Sequence, residues 1–532
     1  MSILEYRQIA SVRTPDDEPL FVIRNDVSGG VNTHLNARNI AENQCEVLQN
    51  VEIEIAGQRS KMRGSTLIGN DVGSESVLGL HNYIISGGST PQLLMYTDVY
   101  LHKWSGSGNW SELKDDFNNN ATEVGFCTVK KSGTSPDDVC IIQNTLDNAF
   151  QLTSAGTMTD LGSTAGTGSD SPPKSTVMAW YGNRMWVLKD DLLYFSDAYP
   201  SDYSKAFDTA SNAFRIPVGD ERYLLPTRDF GIVVFGKNAI WGLSPSAVPD
   251  AATDAPVPII TDNGCVSKNA VVQGLDDIYW FAQDGVRALR RNIQDKLQQG
   301  RSYPLSIGLK SEYDMIDWSK VTQIRGIYWN NRVIFSVPLT GGIWSTWIYY
   351  PATNGWVVKR GWYPCSWATY KVTGEERLFY GKINDAVVYR AFYGFTDEGT
   401  TTTNGTAITY IEEGRKEDMG QPLINKVGGE LEIKANTSGN YNLSVYGSFD
   451  DDDYTLLGTM NIFGGNAGVT FPTTFPVSFS DYATIKQKFH LDAYGAWRTF
   501  QHRIVHATTN STNDITILEH SIVTYPEKIE GE

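Results

Sequence analysis

Two histidines, His502 and His506 in QHRIVHA, stand four residues apart. That spacing puts both on one face of a strand or a helix, so joint metal ligation is geometrically conceivable. The sequence indicates no third ligand, and an exposed strand face explains the pair more simply. Four carboxylates, Asp450 to Asp453 in SFDDDDYTLLG, lie between two strand-like runs and offer the hard oxygen ligands that calcium takes. A solvated hairpin tip is the plainer reading, because carboxylates concentrate at turns. The Gly-rich GSTAGTGSDS lacks the Lys and the following apolar helix that a phosphate cradle needs, and reads as a loop. There is no GxSxG elbow, phosphate loop, HExxH or dinucleotide GxGxxG after a strand. A carboxylate pair for glycoside hydrolysis would be assembled only by the fold. The sequence therefore assigns no catalytic residue, metal ligand or cofactor, and the chain is read as a non-enzyme.

The elements that would position these residues are mostly strands. Among 532 residues, 12% are aromatic, with 14 Trp and 27 Tyr, and 49 are Gly. Aromatic side chains suit a pleated, half-buried surface, and many short strands need many tight turns. Lys and Arg total 44 against 61 Asp and Glu, a net charge of -17, so ordinary binding to a phosphate backbone is disfavoured. A channel through which DNA slides is the exception, since it should not grip. The five cysteines (Cys45, Cys127, Cys140, Cys265, Cys365) lack CxxC spacing and read as buried small hydrophobes. The N-terminus has no charged region followed by an apolar stretch, so no secretory signal is expected, and no apolar run is long enough to anchor in a membrane. Asn-x-Ser/Thr triplets at Asn109 and Asn436 then read as chance.

Residues 1–70 form a turn-rich N-terminal segment, and from 71 to 395 a unit recurs: strand, tight turn, aromatic strand. Seven such segments begin near residues 93, 137, 178, 230, 276, 324 and 376. Their turns are Gly-Asn, Gly-Lys-Asn, Gln-Asp-Gly, Asn-Asn and Asn-Gly, residues that tolerate φ > 0 in hairpins. Hairpins at that spacing predict a mainly β protein with a β-propeller-like body of six to eight blades. Residues 105–120, 153–175 and 245–264 read as loops and candidate contact segments. The stretch 285–317 reads as one or two short inserted helices. After a Thr/Gly linker near 396, alternating strands to residue 532 predict a C-terminal β-sandwich-like domain.

Particular residues carry a family resemblance. Gly29, Gly30, Asn32 and Thr33, then Gln49, Asn50 and Val51, then Arg63 and Gly64 reproduce the opening motifs of a family of phage virion proteins. VVQGLDDIYWFAQDGVRAL (271–289) resembles that family's blade, and SVYGSFDDDDYTLLG its C-terminal domain. The family is that of the tail nozzle or packaged-DNA stabilisation proteins of short-tailed bacteriophages. The resemblance implies a subunit made in the host cytoplasm and placed in the virion tail. There it would form a cyclic homo-oligomer, usually a homohexamer, within the head-tail connector complex. Its partners would be adaptor and other tail proteins, and genomic DNA would pass without specific binding during genome ejection. The alternative is a receptor- or glycan-binding tail protein, possibly a depolymerase. The Asp450–Asp453 segment also weakly resembles the Ser-x-Asp boxes of sialidase propellers, but it occurs once, and no arginine cluster to hold a carboxylate accompanies it.

Overall fold

The computed structural model describes residues 18–54, 57–86, 90–133, 137–163, 169–299, 302–438, 440–463, 483–507 and 514–527. The protein is mainly β, and its body is a β-propeller. Four complete four-stranded antiparallel sheets span residues 79–114, 125–160, 178–215 and 221–260. A three-stranded sheet over 271–288 follows, and then two whose own strands lie at 325–359 and 364–391 but whose sheets run on into other parts of the chain. That makes seven blades.

Each blade is built around one of the hairpin repeats. The second strands, such as Asp138–Gln143, Gly231–Gly236 and Ile278–Ala282, are buried along their whole length. They are packed on both faces by neighbouring blades, so they are continuous apolar runs instead of alternating ones. Left-handed turns close the hairpins at Gly182–Asn183 (φ 59° and 60°) and Asn330–Asn331 (47° and 57°), as two-residue hairpin loops require.

Residues 105–120, 153–175 and 245–264 are not simply loops. Each contributes the outermost strand of a blade: Ser111–Lys114, Met158–Asp160 and Val257–Ile260. These edge strands are short and largely solvent-facing; Ser111–Lys114 and Met158–Asp160 lack an apolar pattern, and Val257–Ile260 is only four residues long and interrupted by Pro258. In the fifth blade the fourth strand is replaced by a helix, Leu289–Gln299, and a second short helix follows at Lys310–Asp314.

The ring closes through the N-terminal segment. Ser65–Ile68 pairs antiparallel with Val388–Ala391 to complete the last blade, and the hairpin Thr396–Thr401/Asn404–Ala407 extends the same sheet. The blade over 325–359 continues through Val47–Gln49 into Tyr410–Glu413, Phe500–His506, Asn440–Phe449 and Thr455–Phe463, a nine-stranded sheet. A seven-stranded sheet packs on its distal part, built from Ala483–His490, Lys426–Ser438, Asp514–Pro526, Arg59–Lys61, Val51–Glu52, Leu20–Arg24 and Ala496–Trp497. Leu431, Ile433 and Ile517 of this second sheet share one buried core with Leu443, Val445 and Ile504 of the first. The C-terminal module is thus a sandwich that borrows strands from the N-terminal segment.

Two adjoining blades are locked by an ion pair. Lys359 Nζ lies 2.7 and 2.6 Å from the two oxygens of Asp397, whose Oδ1 also accepts from Trp362 Nε1 at 2.7 Å. Both charged side chains are essentially sealed from water (0% and 2% exposed). Breaking such a pair leaves one charge without compensation, so Asp397→Ala is expected to lower unfolding free energy by about 3–5 kcal/mol. Chemical denaturation would check this, and a loss below about 1 kcal/mol would place the pair among weak surface bridges.

Candidate site at the mouth of the propeller channel

The inner strands of all seven blades enclose a cavity of about 420 Å³. Neighbouring inner strands approach closely because small residues stand at the contacts. A Cβ on Gly125 would lie 2.2 Å from Thr176 O, and one on Gly326 would lie 2.5 Å from Val272 Cγ2. Around this narrow space stand His81, Glu123, Arg222, Lys268, Arg325 and Trp367, with Tyr223, Tyr328 and Gln273.

Glu123, Thr176, Arg222, Lys268 and Arg325 all lie within three residues of the start of an inner strand, hence at one end of the channel. Lys268 Nζ reaches to the second and third blades, 2.7 Å from Glu123 Oε1 and 3.3 Å from Thr176 Oγ1. Arg325 Nη1 donates to Ser267 Oγ at 3.0 Å and to the carbonyls of Lys268, Thr322 and Ile324 at 3.2, 2.6 and 3.0 Å. Burial pushes the Arg325 guanidinium below its ordinary value, because taking a cation out of water disfavours its charge. Among the described residues no carboxylate forms an ion pair with it. Arg222 Nη2 donates to Asp220 at 2.8 Å, whereas its Nε is buried without a hydrogen-bond partner. His81 Nε2 meets Thr128 Oγ1 at 2.8 Å, and burial holds its imidazole down to about 4, so it is neutral at pH 7.

The channel mouth therefore gathers three cationic side chains and one carboxylate, in a chain whose net charge is -17. Sequence reasoning missed this cluster. Its members come from four blades and share no local motif, and only ring closure brings them together. Glu123 is the single carboxylate among the described cavity-lining residues, and Lys268 occupies it. Glycoside hydrolysis in its usual form needs two carboxylates across the scissile bond.

The histidine pair lies elsewhere and is not exposed. His502 and His506 are both buried on Phe500–His506, 1% and 0% exposed, because they share with Ile504 the face that packs on the seven-stranded sheet, where His502 meets the His520 ring. They do not act together. His502 instead approaches Glu412 and His520, all three with potential ligand atoms within 4.8 Å of one another. A protein cation already fills that space: Arg59 Nε lies 2.8 Å from Glu412 Oε1, and Arg59 Nη2 lies 2.7 Å from His520 Nδ1. Tyr410 Oη donates to Glu412 Oε2 at 2.6 Å. Burial alone would raise the Glu412 carboxyl, but Arg59 overrides it and holds the group down to about 2. The cluster is a charge-compensated core that ties the N-terminal segment to two sheets.

Asp450–Asp453 form the tip of the hairpin between Asn440–Phe449 and Thr455–Phe463. The carboxylates of Asp450 and Asp451 turn to different protein partners. Asp450 Oδ1 accepts from the backbone N–H groups of Arg498 and Thr499, each at 2.8 Å, and Asp451 pairs with Lys416. All five cysteines are free thiols, four buried and Cys365 half-buried. Burial pushes Cys127 and Cys265 up to about 12, which keeps them protonated and poor nucleophiles.

No protein-family model matches the chain, and no curated protein matches it. Among solved structures, BBS1N in complex with ARL6DN is 10% identical over 62% of this chain and 98% of its own, with a TM-score of 0.38. An exo-β-1,3-galactanase of Phanerochaete chrysosporium is 11% identical over 87% of this chain and 100% of its own, with a TM-score of 0.27. An ancestral GH74 enzyme is 11% identical over 63% and 53%, with a TM-score of 0.32. At these scores the likenesses say nothing about activity.

Proposed function

We propose that this protein is a structural subunit of a bacteriophage tail, a nozzle component that joins copies of itself into a closed ring around the DNA exit path. The supporting observation is where the residues resembling that family stand: they are the welds between the N-terminal segment and the rest of the fold. Gly30 (φ +73°) runs so close to the sixth blade that a Cβ would meet the Trp356 backbone nitrogen at 2.3 Å. Thr33 donates its N–H to Gly308 O at 2.7 Å. Asn50 donates its N–H to Val358 O at 2.8 Å and its Nδ2 to Thr409 O at 2.7 Å, and its Oδ1 accepts from Arg360 N at 2.8 Å. Arg63 lies over the Phe395 ring, and Gly64 packs against the Thr396 carbonyl. Ring, N-terminal segment and sandwich thereby become one continuous body, which suits a part under mechanical load more than one that must flex to turn over. Head-to-tail contacts between identical bodies close into cyclic rings and leave a lumen. The chain's net negative charge would let DNA pass such a lumen without sticking.

Gly30→Ala is expected to cost about 2 kcal/mol or more, through left-handed strain plus the backbone collision, and to loosen the N-terminal weld. Limited proteolysis should then cut ahead of residue 70 well before the propeller opens. Cryo-electron microscopy of the purified particle, or of the protein mixed with portal and adaptor, tests the function. A symmetric ring around the DNA axis is expected, and a peripheral trimer or no incorporation overturns the reading.

A second reading, a receptor- or glycan-binding tail protein, is favoured by the channel mouth, where Arg222, Lys268 and Arg325 stand with Tyr223, Tyr328 and Trp367. Aromatic faces beside fixed polar groups are the usual lining of a sugar site. A depolymerase activity would need a second carboxylate delivered from outside the described cavity.

A further inference from the structure

We infer that the channel mouth is a binding site for an oxyanion, a phosphate or carboxylate group on a small polar ligand, held between Arg222 and Arg325 with Lys268 at the rim. Four observations converge on it. The cavity, about 420 Å³, falls in the size range of small-molecule sites and is walled by rigid inner strands. Arg325 forms no ion pair among the described residues, and the only acidic side chain among those lining the cavity, Glu123, acts on it through space while bonded to Lys268. The three carbonyls and one hydroxyl that fix Nη1 orient the guanidinium but do not neutralise it. Arg325 Nε and Nη2 make no hydrogen bond among the described residues, and the side chain is half-buried at the cavity wall. On the next inner strand but one, Arg222 keeps a buried Nε–H with no acceptor, a donor that an incoming oxygen would satisfy.

An oxyanion is the chemistry that fits these groups. A planar guanidinium presents parallel N–H donors matched to two oxygens of a carboxylate or phosphate, and these charge-assisted bonds are the strong ones. Lys268 is tied to Glu123 at 2.7 Å, so at the rim it takes up the one carboxylate among the described residues that line the cavity. Asp220 takes the outer side of Arg222 and is not among the cavity-lining residues. A low-dielectric channel also focuses the field of its cations, which an open acidic surface would not. Tyr223, Tyr328, Trp367 and Gln273 leave apolar faces and an amide for whatever carries the anion. The inference rests on the channel alone, and the ring experiment can fail without touching it.

Isothermal titration of the full chain at fixed ionic strength tests it, with inorganic phosphate, inorganic sulfate, D-glucuronate and uncharged D-glucose as probes. Saturable binding of at least one anion is expected, together with an affinity loss of about tenfold or more in Arg325→Met. Phosphate binding without glucuronate would assign the site to a phosphate group, and glucuronate binding without phosphate to a sugar acid. Arg222 supports the blade wall as well, so Lys268→Gln serves as the second variant; it leaves Arg325 in place and is expected to weaken the anion less than Arg325→Met does. Circular dichroism confirms that both variants fold. No saturable anion binding by the wild type, equal binding of glucose and glucuronate, or wild-type affinity in folded Arg325→Met would overturn the inference.

Discussion

Arg59→Met is expected to lower the unfolding free energy by about 3–5 kcal/mol, which makes it one of the most damaging single changes available in this fold. Arg59 and Glu412 are both fully buried (0% exposed) and joined at 2.8 Å, and the guanidinium also serves His520. Removing it leaves Glu412 without its guanidinium partner, beside two imidazoles, with Tyr410 donating to it and His502 Nε2 3.6 Å away. The double variant Arg59→Met/Glu412→Leu is expected to recover much of the loss, because replacing both members of a buried pair by apolar groups of similar size removes the desolvation penalty as well. Urea unfolding of the two single variants and the double variant forms the cycle. Additive losses would show that the pair is not coupled. The same residue also guards the neighbouring histidines. With Arg59 in place, the space inside the Glu412–His502–His520 triangle belongs to a protein cation and not to a metal.

The second large effect is the response to acid. Burial holds His520 well below its ordinary value of 6.5, with His502 and the Arg59 and Arg24 cations pushing the same way. His506 is held down to about 4 by burial and then by Lys61. The folded protein thus refuses protons that the unfolded chain accepts near pH 6.5. Stability from these groups is complete above that pH and is withdrawn as pH falls through it toward the folded values. For His506 the window runs from 6.5 down to about 4, and the loss at its foot is on the order of 3 kcal/mol. Glu412, held to about 2 against an ordinary 4.5, adds a further loss below pH 4.5, again in the acid direction. Urea midpoints should fall steadily between pH 7.5 and 4.5, and His520→Gln should flatten the curve in its upper part. A midpoint that stays constant over that range would mean the histidines are protonated in the fold. His81 in the propeller is held down to about 4 by burial and His102 is lowered too, so propeller and sandwich both lose stability on acidification.

How much of this was legible beforehand follows from how far apart in the chain the interacting groups lie. The hairpin repeats were readable because a strand, its turn and its partner are sequence neighbours. Gly182–Asn183 and Asn330–Asn331 announce their left-handed turns within two residues, and the seven repeats became seven blades. The buried state of four of the five cysteines was readable from their scatter, and Cys365 is half-buried. The outer strands at Ser111–Lys114 and Met158–Asp160 were not, since a polar edge strand resembles a loop, and Val257–Ile260 was not because Pro258 breaks a run of only four residues. Nor was the burial of His502 and His506. Which face of a strand is covered is settled by what packs on it, and here the seven-stranded sheet covers the face of His502, Ile504 and His506 while Arg503 and Val505 stay half-buried.

What the sequence by itself determined is the class of element, the period of the repeat and the acidic balance, all of which are local or additive properties of the chain. Only the tertiary structure decided that Arg222, Lys268 and Arg325 face one channel, that Arg59 meets Glu412 across 353 positions, and that the N-terminal segment is shared between ring and sandwich. Such meetings depend on ring closure and sheet order. Those are set by the packing of distant strands against one another, and no single stretch of residues carries their record.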